Sequence, residues 1–168
     1  MPTSPQSAPR ILCAVDFSGS ADAAVDHAAR LARRLGAELH LVHAPPLPIA
    51  AFPEAGLTTV PVHPEQVIDE ARAGLESYAA HHPGIDVALH VRLGPPCDVV
   101  LELQQELGAD YLVLGTHGRT GLDHLLMGSV AEQVVRRAPV PVLTVRPDCD
   151  APRLPAASAG PPPREATS

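Results

Sequence analysis

Between Gly115 and Val130 the chain reads Gly115-Thr116-His117-Gly118-Arg119-Thr120-Gly121-Leu122-Asp123-His124-Leu125-Leu126-Met127-Gly128-Ser129-Val130, and the spacing G-x2-G-x9-G-S can be written without gaps. Glycine lets a backbone take positive φ and approach a ligand closely. If a helix starts at the second glycine-serine step, the N–H groups of Gly128, Ser129 and Val130 can face an anion. That arrangement suits a polyphosphate, with His117 and Arg119 as the side chains inside the loop able to contact it. A second candidate is Asp16, the acidic residue that ends the apolar run Arg10 to Val15. Both places have an ordinary structural reading. Ser129-Val130-Ala131-Glu132 spells a capping box, and Asp16 could cap the helix that follows it, with Ser18 or Ser20 as alternatives.

These residues matter only if the fold brings them together. The run Arg10 to Val15 reads as a strand, followed by Ala/Leu periodicity at 24, 28, 31 and 35 that Gly36 stops. Glu38 to His43 reads as a second strand. A Pro-rich stretch from Ala44 to Pro64 is longer than ordinary connections and reads as a surface flap. A helix from about Glu65 to His81 and a strand from Asp86 to Val91 follow, then a helix from Cys97 to Leu107 and a strand from Tyr111 to Leu114. The last helix begins at Met127 or Gly128 and runs to Ala138. The last strand, Pro139 to Val145, contains Pro141, which implies a sheet edge. Five strands alternating with four helices predict a doubly wound, parallel α/β sheet in one domain spanning 10–147, flanked by unstructured segments at 1–9 and 148–168. Ligands of such sheets sit beyond the carboxyl ends of the strands, at a switch point.

The residues Ile11-Leu12-Cys13-Ala14-Val15-Asp16, Ala28-Ala29-Arg30-Leu31-Ala32, Gly36-Ala37-Glu38-Leu39, Leu114 to Gly121, Gly128-Ser129-Val130-Ala131-Glu132 and Pro139-Val140-Pro141-Val142 resemble the universal stress protein family across residues 10–146. The glycine spacing is similar to that of its ATP-binding branch. The resemblance implies a Rossmann-like fold of the adenine-nucleotide alpha-hydrolase type with strand order 3-2-1-4-5. It implies that Asp16, with Ala14 and Val15 beside it, meets the ribose and adenine side of ATP, that Val42 meets adenine, and that Gly115, Gly118, Gly128 and Ser129 hold phosphates. His124 stands where the family often carries Arg or Lys. A homodimer formed by antiparallel pairing of the edge strand Val140 to Val145 is implied as well, which would also cover an exposed sheet edge. Mg²⁺ or Mn²⁺ bridging the phosphates is compatible with this reading.

Composition narrows the alternatives. The chain has 168 residues, is 45% hydrophobic and only 2% aromatic, so its core must be built from Ala, Val, Leu and Ile. A net charge of −7 disfavours nucleic acid, whose phosphates need a basic face. All twelve basic residues are Arg, which excludes a Walker-type lysine and lysine Schiff-base chemistry. The three cysteines and nine histidines lack metal-ligand spacing. No apolar run reaches the ~18 residues of a membrane span, and Met1-Pro2-Thr3-Ser4-Pro5 lacks the basic and apolar parts of a leader, so a soluble cytoplasmic protein is expected. The reading is therefore an ATP-binding, stress-associated regulator whose nucleotide state alters loops seen by an unidentified protein partner. A nucleotide-free dimeric interaction module and a slow ATPase remain the alternatives, and no general base is identifiable for the latter.

Overall fold

A computed structural model describes residues 8–45, 63–116 and 127–147. The expectations for the flap over 46–62 and for the two terminal segments, except residues 8 and 9, fall outside the described residues. The order of elements is β1 (Arg10–Ala14), α1 (Gly19–Leu35), β2 (Glu38–His43), α2 (Pro64–Ala80), β3 (Val87–Val91), α3 (Pro96–Leu107), β4 (Tyr111–Gly115), α4 (Ser129–Arg137) and β5 (Val142–Val145). The strands form one parallel sheet in the order β3-β2-β1-β4-β5, as expected.

Local chemistry explains the boundaries. Ser18 caps α1, its hydroxyl accepting the Ala21 N–H at 3.3 Å. Asp22 in the first turn and Arg33 and Arg34 in the last match the helix dipole. Gly36 closes the helix at φ 61°, a left-handed conformation glycine takes without a Cβ penalty, and Gly108 does the same for α3. Pro64 and Pro96 occupy the first turns of α2 and α3, where a missing N–H costs nothing. β5 is shorter than its sequence suggested. Pro141 falls just before the strand rather than within it, and its carbonyl accepts the Leu112 N–H at 3.0 Å. A proline can accept at a sheet edge although it cannot donate.

Strand alternation sends side chains to two cores. Ile11, Cys13, Leu39, Leu41 and Val113 pack with Ala21, Ala24, Val25, Ala28, Ala29 and Ala32 of α1 and with Leu75 of α2. Leu12, Val42, Leu112 and Leu114 pack on the opposite face with Val99, Val100 and Leu103 of α3 and Val134 of α4. The small residues of α1 let that helix lie close to the sheet, which matters at Gly115. At the centre, β1 pairs with β2 (Ala14 opposite Val42) and with β4 (Cys13 opposite Val113). The chain leaves β1 toward one sheet edge and returns to β4 on its other side, so a crevice opens between the carboxyl ends of β1 and β4.

Candidate functional site

At that switch point lies a cleft of about 160 Å³. Its walls come from the end of β1 (Ala14, Val15, Asp16), the end of β2 (Val42, His43, Ala44), Pro96 and Val100 of α3, the end of β4 (Leu114, Gly115) and the start of α4 (Gly128, Ser129, Val130, Ala131). Every described residue singled out from the sequence for cofactor binding lines it: Ala14, Val15, Asp16, Val42, Gly115, Gly128, Ser129 and Val130. His117, Gly118, Arg119 and His124 lie outside the described residues. The α3 wall, Pro96 and Val100, was not anticipated. Its only signal was that the apolar face of the Cys97–Leu107 helix had to cover the same side of the sheet as Val42.

The cleft has one acidic corner and one donor-rich corner. Asp16 follows β1, and its Oδ1 accepts both the Ser18 N–H (3.1 Å) and the Ser18 hydroxyl (2.6 Å). Asp16 therefore does not cap α1. It braces the residue that does. His43 ties the ends of β1 and β2 together through Nδ1 and the Val15 carbonyl at 2.6 Å, and since a carbonyl only accepts, Nδ1 carries the hydrogen. The Val15 N–H donates in turn to the Val42 carbonyl at 2.8 Å.

At the other corner, two sequence readings need correction. Gly128 was expected to offer its N–H to an anion, but that N–H donates to the Thr116 carbonyl at 2.6 Å. The capping box does not form either. Gly128, in an extended conformation, is the N-cap, so Ser129 is the first helical residue, and Glu132 pairs with Arg136 at 2.8 Å instead of reaching back. A side chain on the first helical residue lies past the position from which a cap reaches the first-turn donors. The first backbone bond of α4 runs from the Glu132 N–H to the Gly128 carbonyl. The N–H groups of Ser129, Val130 and Ala131 precede it, at the positive end of the helix dipole and on the cleft wall. Donors therefore come from residues 129–131 rather than 128–130.

Elsewhere, His40, His90, Cys13 and Cys97 behave as structural groups. His40 and His90, on adjacent strands, bring Nδ1 and Nε2 within 3.1 Å, and burial lowers the pKa of both. Among the described residues no three His, Cys, Asp or Glu side chains stand together as a metal cage. Cys13 is fully buried, and desolvation pushes its thiol up to about 12. Cys97 is also buried, with Arg137 Nη1 3.5 Å from its sulfur. No described helix is long and apolar enough to cross a membrane.

A strand-end cleft, an acidic group on one side and a helix start on the other make a site for an elongated ligand with an anionic end. The family model for the universal stress protein family matches residues 8–146. The chain belongs to the universal stress protein family. Among its relatives, universal stress protein G of Salmonella typhimurium is 38% identical over 128 residues, covering 74% of this chain and 88% of that protein. The structure of the protein MJ0577 superposes with a TM-score of 0.69 at 25% identity, over 83% of this chain and 96% of that one. A universal stress protein in complex with cAMP superposes with a TM-score of 0.60 at 27% identity, over 82% and 96%.

Proposed function

We propose that this universal stress protein binds ATP in the switch-point cleft and acts as a homodimeric regulator in the cytoplasm, its nucleotide state read by a protein partner. The observation that carries this reading is the pairing of Asp16 with the first turn of α4 across one cleft, with apolar walls between them. Ala14, Val42, Val100 and Leu114 offer a surface for a purine. Asp16 can accept from ribose hydroxyls, and the N–H groups of residues 129–131 can donate to phosphate oxygens. A related structure holds cAMP, an adenine nucleotide. A Mg²⁺ or Mn²⁺ ion would enter on the phosphates of ATP, since among the described residues no group of three ligands forms a cage for it.

The dimer is supported by the edge. β5 closes the sheet on one side, and Leu143 on it is 42% exposed, an apolar side chain on the free edge strand. Antiparallel pairing of β5 with a second copy would cover that edge.

Two measurements test the proposal. Nucleotide released from denatured purified protein is identified by chromatography, and ATP with Mg²⁺ is titrated calorimetrically into the emptied protein. Bound ATP or micromolar affinity is expected, whereas no nucleotide and no heat at millimolar ATP would overturn nucleotide binding. For the dimer, sedimentation should give twice the chain mass, falling to a monomer in Leu143→Asp; a monomeric wild type sinks that part.

A further inference from the structure

Phe17 takes φ 60°, and among the described residues no other non-glycine residue has positive φ. A bulky side chain in that region is strained, so something must hold it there. The holding contacts are visible. The Phe17 ring lies 4.5 Å from the His43 ring and 6.0 Å from the Tyr78 ring, centroid to centroid. It also occupies a notch in α2 that exists because residue 74 is glycine. A Cβ on Gly74 would stand 2.6 Å from Phe17 Cε1 and 2.7 Å from Cζ, closer than such atoms come. Tyr78, one turn further along α2, is itself fixed through its hydroxyl, which donates to Asp22 of α1.

The turn so held is the one that carries Asp16. Residues 16 and 18 flank Phe17, and the Asp16 carboxylate folds back on both Ser18 donors to stand at the cleft wall. We propose that Phe17 is a positioning residue for nucleotide recognition: its ring, seated against Gly74 and His43, holds the left-handed turn that presents Asp16 to the ligand. This rests on the reading of the cleft as a nucleotide site. It also assigns a role to α2, which lines no part of the cleft, through the absence of one methyl group at residue 74.

The test uses Gly74→Ala, a change that inside a helix ordinarily stabilises. In the wild-type background, calorimetry should show ATP affinity falling roughly tenfold, the scale of a weakened hydrogen bond to a charged group. In an Asp16→Ala background the same change should alter affinity by less than about twofold, because the group being positioned is gone. A merely structural effect of Gly74→Ala would persist in both backgrounds, and that outcome overturns the proposal, as does wild-type affinity in the single variant. Phe17→Gly relieves the backbone strain while removing the ring, and should weaken ATP binding as Gly74→Ala does; if Gly74→Ala does not fold, this variant carries the comparison. Should wild-type protein bind no adenine nucleotide, the nucleotide reading fails, and hydrogen exchange at the Ser18 amide in ligand-free protein decides the latch separately. Faster exchange in Gly74→Ala or Phe17→Gly supports the latch, and unchanged exchange in both overturns it.

Discussion

Gly115, the last residue of β4, lies so close to Ser20 in the first turn of α1 that a Cβ on Gly115 would stand 2.6 Å from the Ser20 Cβ and 2.9 Å from its carbonyl carbon and oxygen. The carbonyl atoms are backbone and the Cβ is fixed to it, so none of the three can swing aside. The glycine thus lets α1 press onto the sheet next to the cleft, and its need for glycine arises from packing even before any ligand arrives. Gly115→Ala should lower stability by about 1–3 kcal/mol, the usual cost of forcing a methyl group into a packed core. Urea unfolding monitored by circular dichroism would show a lower midpoint with an unchanged slope. An unaltered midpoint would mean that α1 gives way more easily than its burial suggests.

Cys13 makes the fold sensitive to alkali. Burial raises its thiol from an ordinary 9.0 to about 12. Above pH 9 the unfolded chain releases this proton while the folded chain keeps it, so the unfolded state binds fewer protons and stability falls with rising pH. The contribution is fully present below pH 9 and is lost progressively toward pH 12. Melting temperatures between pH 8 and 10.5 should decline in the wild type and decline less steeply in Cys13→Ala. Equal slopes would show that other groups carry the alkaline loss.

The opposite edge of the pH range is set in part by His40 and His90. Their ring nitrogens stand 3.1 Å apart, so one must donate and the other accept, and both cannot be charged without repulsion. Burial is the largest cause lowering each pKa. Around His40, Glu38 and Asp86 favour the charged form and Arg10 opposes it; around His90, Glu106 favours it and Arg92 opposes it. With folded pKa values below the unfolded 6.5, the unfolded chain binds more protons as pH drops through 6.5, and stability falls with it. The urea midpoint should therefore be lower at pH 5.5 than at pH 7.5, and His90→Gln should narrow that difference. If the variant keeps the full pH dependence, the histidine pair is not its source.

The sequence made the sheet readable because alternation in the strands and periodicity in α1 each pointed to one answer, and because Gly36 and Gly108 punctuate the helices in the way their left-handed caps require. Strand ends then located Asp16 and Gly115 on opposite sides of the crevice. What stayed hidden were particular side-chain and backbone contacts between distant elements. The bond from the Gly128 N–H to the Thr116 carbonyl joins residues whose pairing no local pattern encodes. His40 and His90 meet through the β2–β3 register alone, fifty residues apart in sequence. Nothing around Phe17 announces positive φ, since Asp-Phe-Ser carries no glycine or asparagine; the neighbours its ring meets, His43, Gly74 and Tyr78, all lie on other elements.

Ser129 separates the two meanings the sequence left open. As a cap its hydroxyl would hold α4 in place, and Ser129→Ala would cost ~1 kcal/mol or more of stability. The structure gives the cap position to Gly128 and engages Glu132 with Arg136, so the hydroxyl has no capping role to lose. Ser129 is exposed and stands on the cleft wall beside the first N–H groups of α4. Ser129→Ala should accordingly leave the unfolding free energy within about 0.5 kcal/mol of the wild type. ATP affinity should fall roughly five- to tenfold, the value of one hydrogen bond to a charged phosphate oxygen. Paired urea and calorimetric measurements on the same variant decide it: a stability loss with intact affinity would restore the capping reading and move the phosphate contacts away from the start of α4.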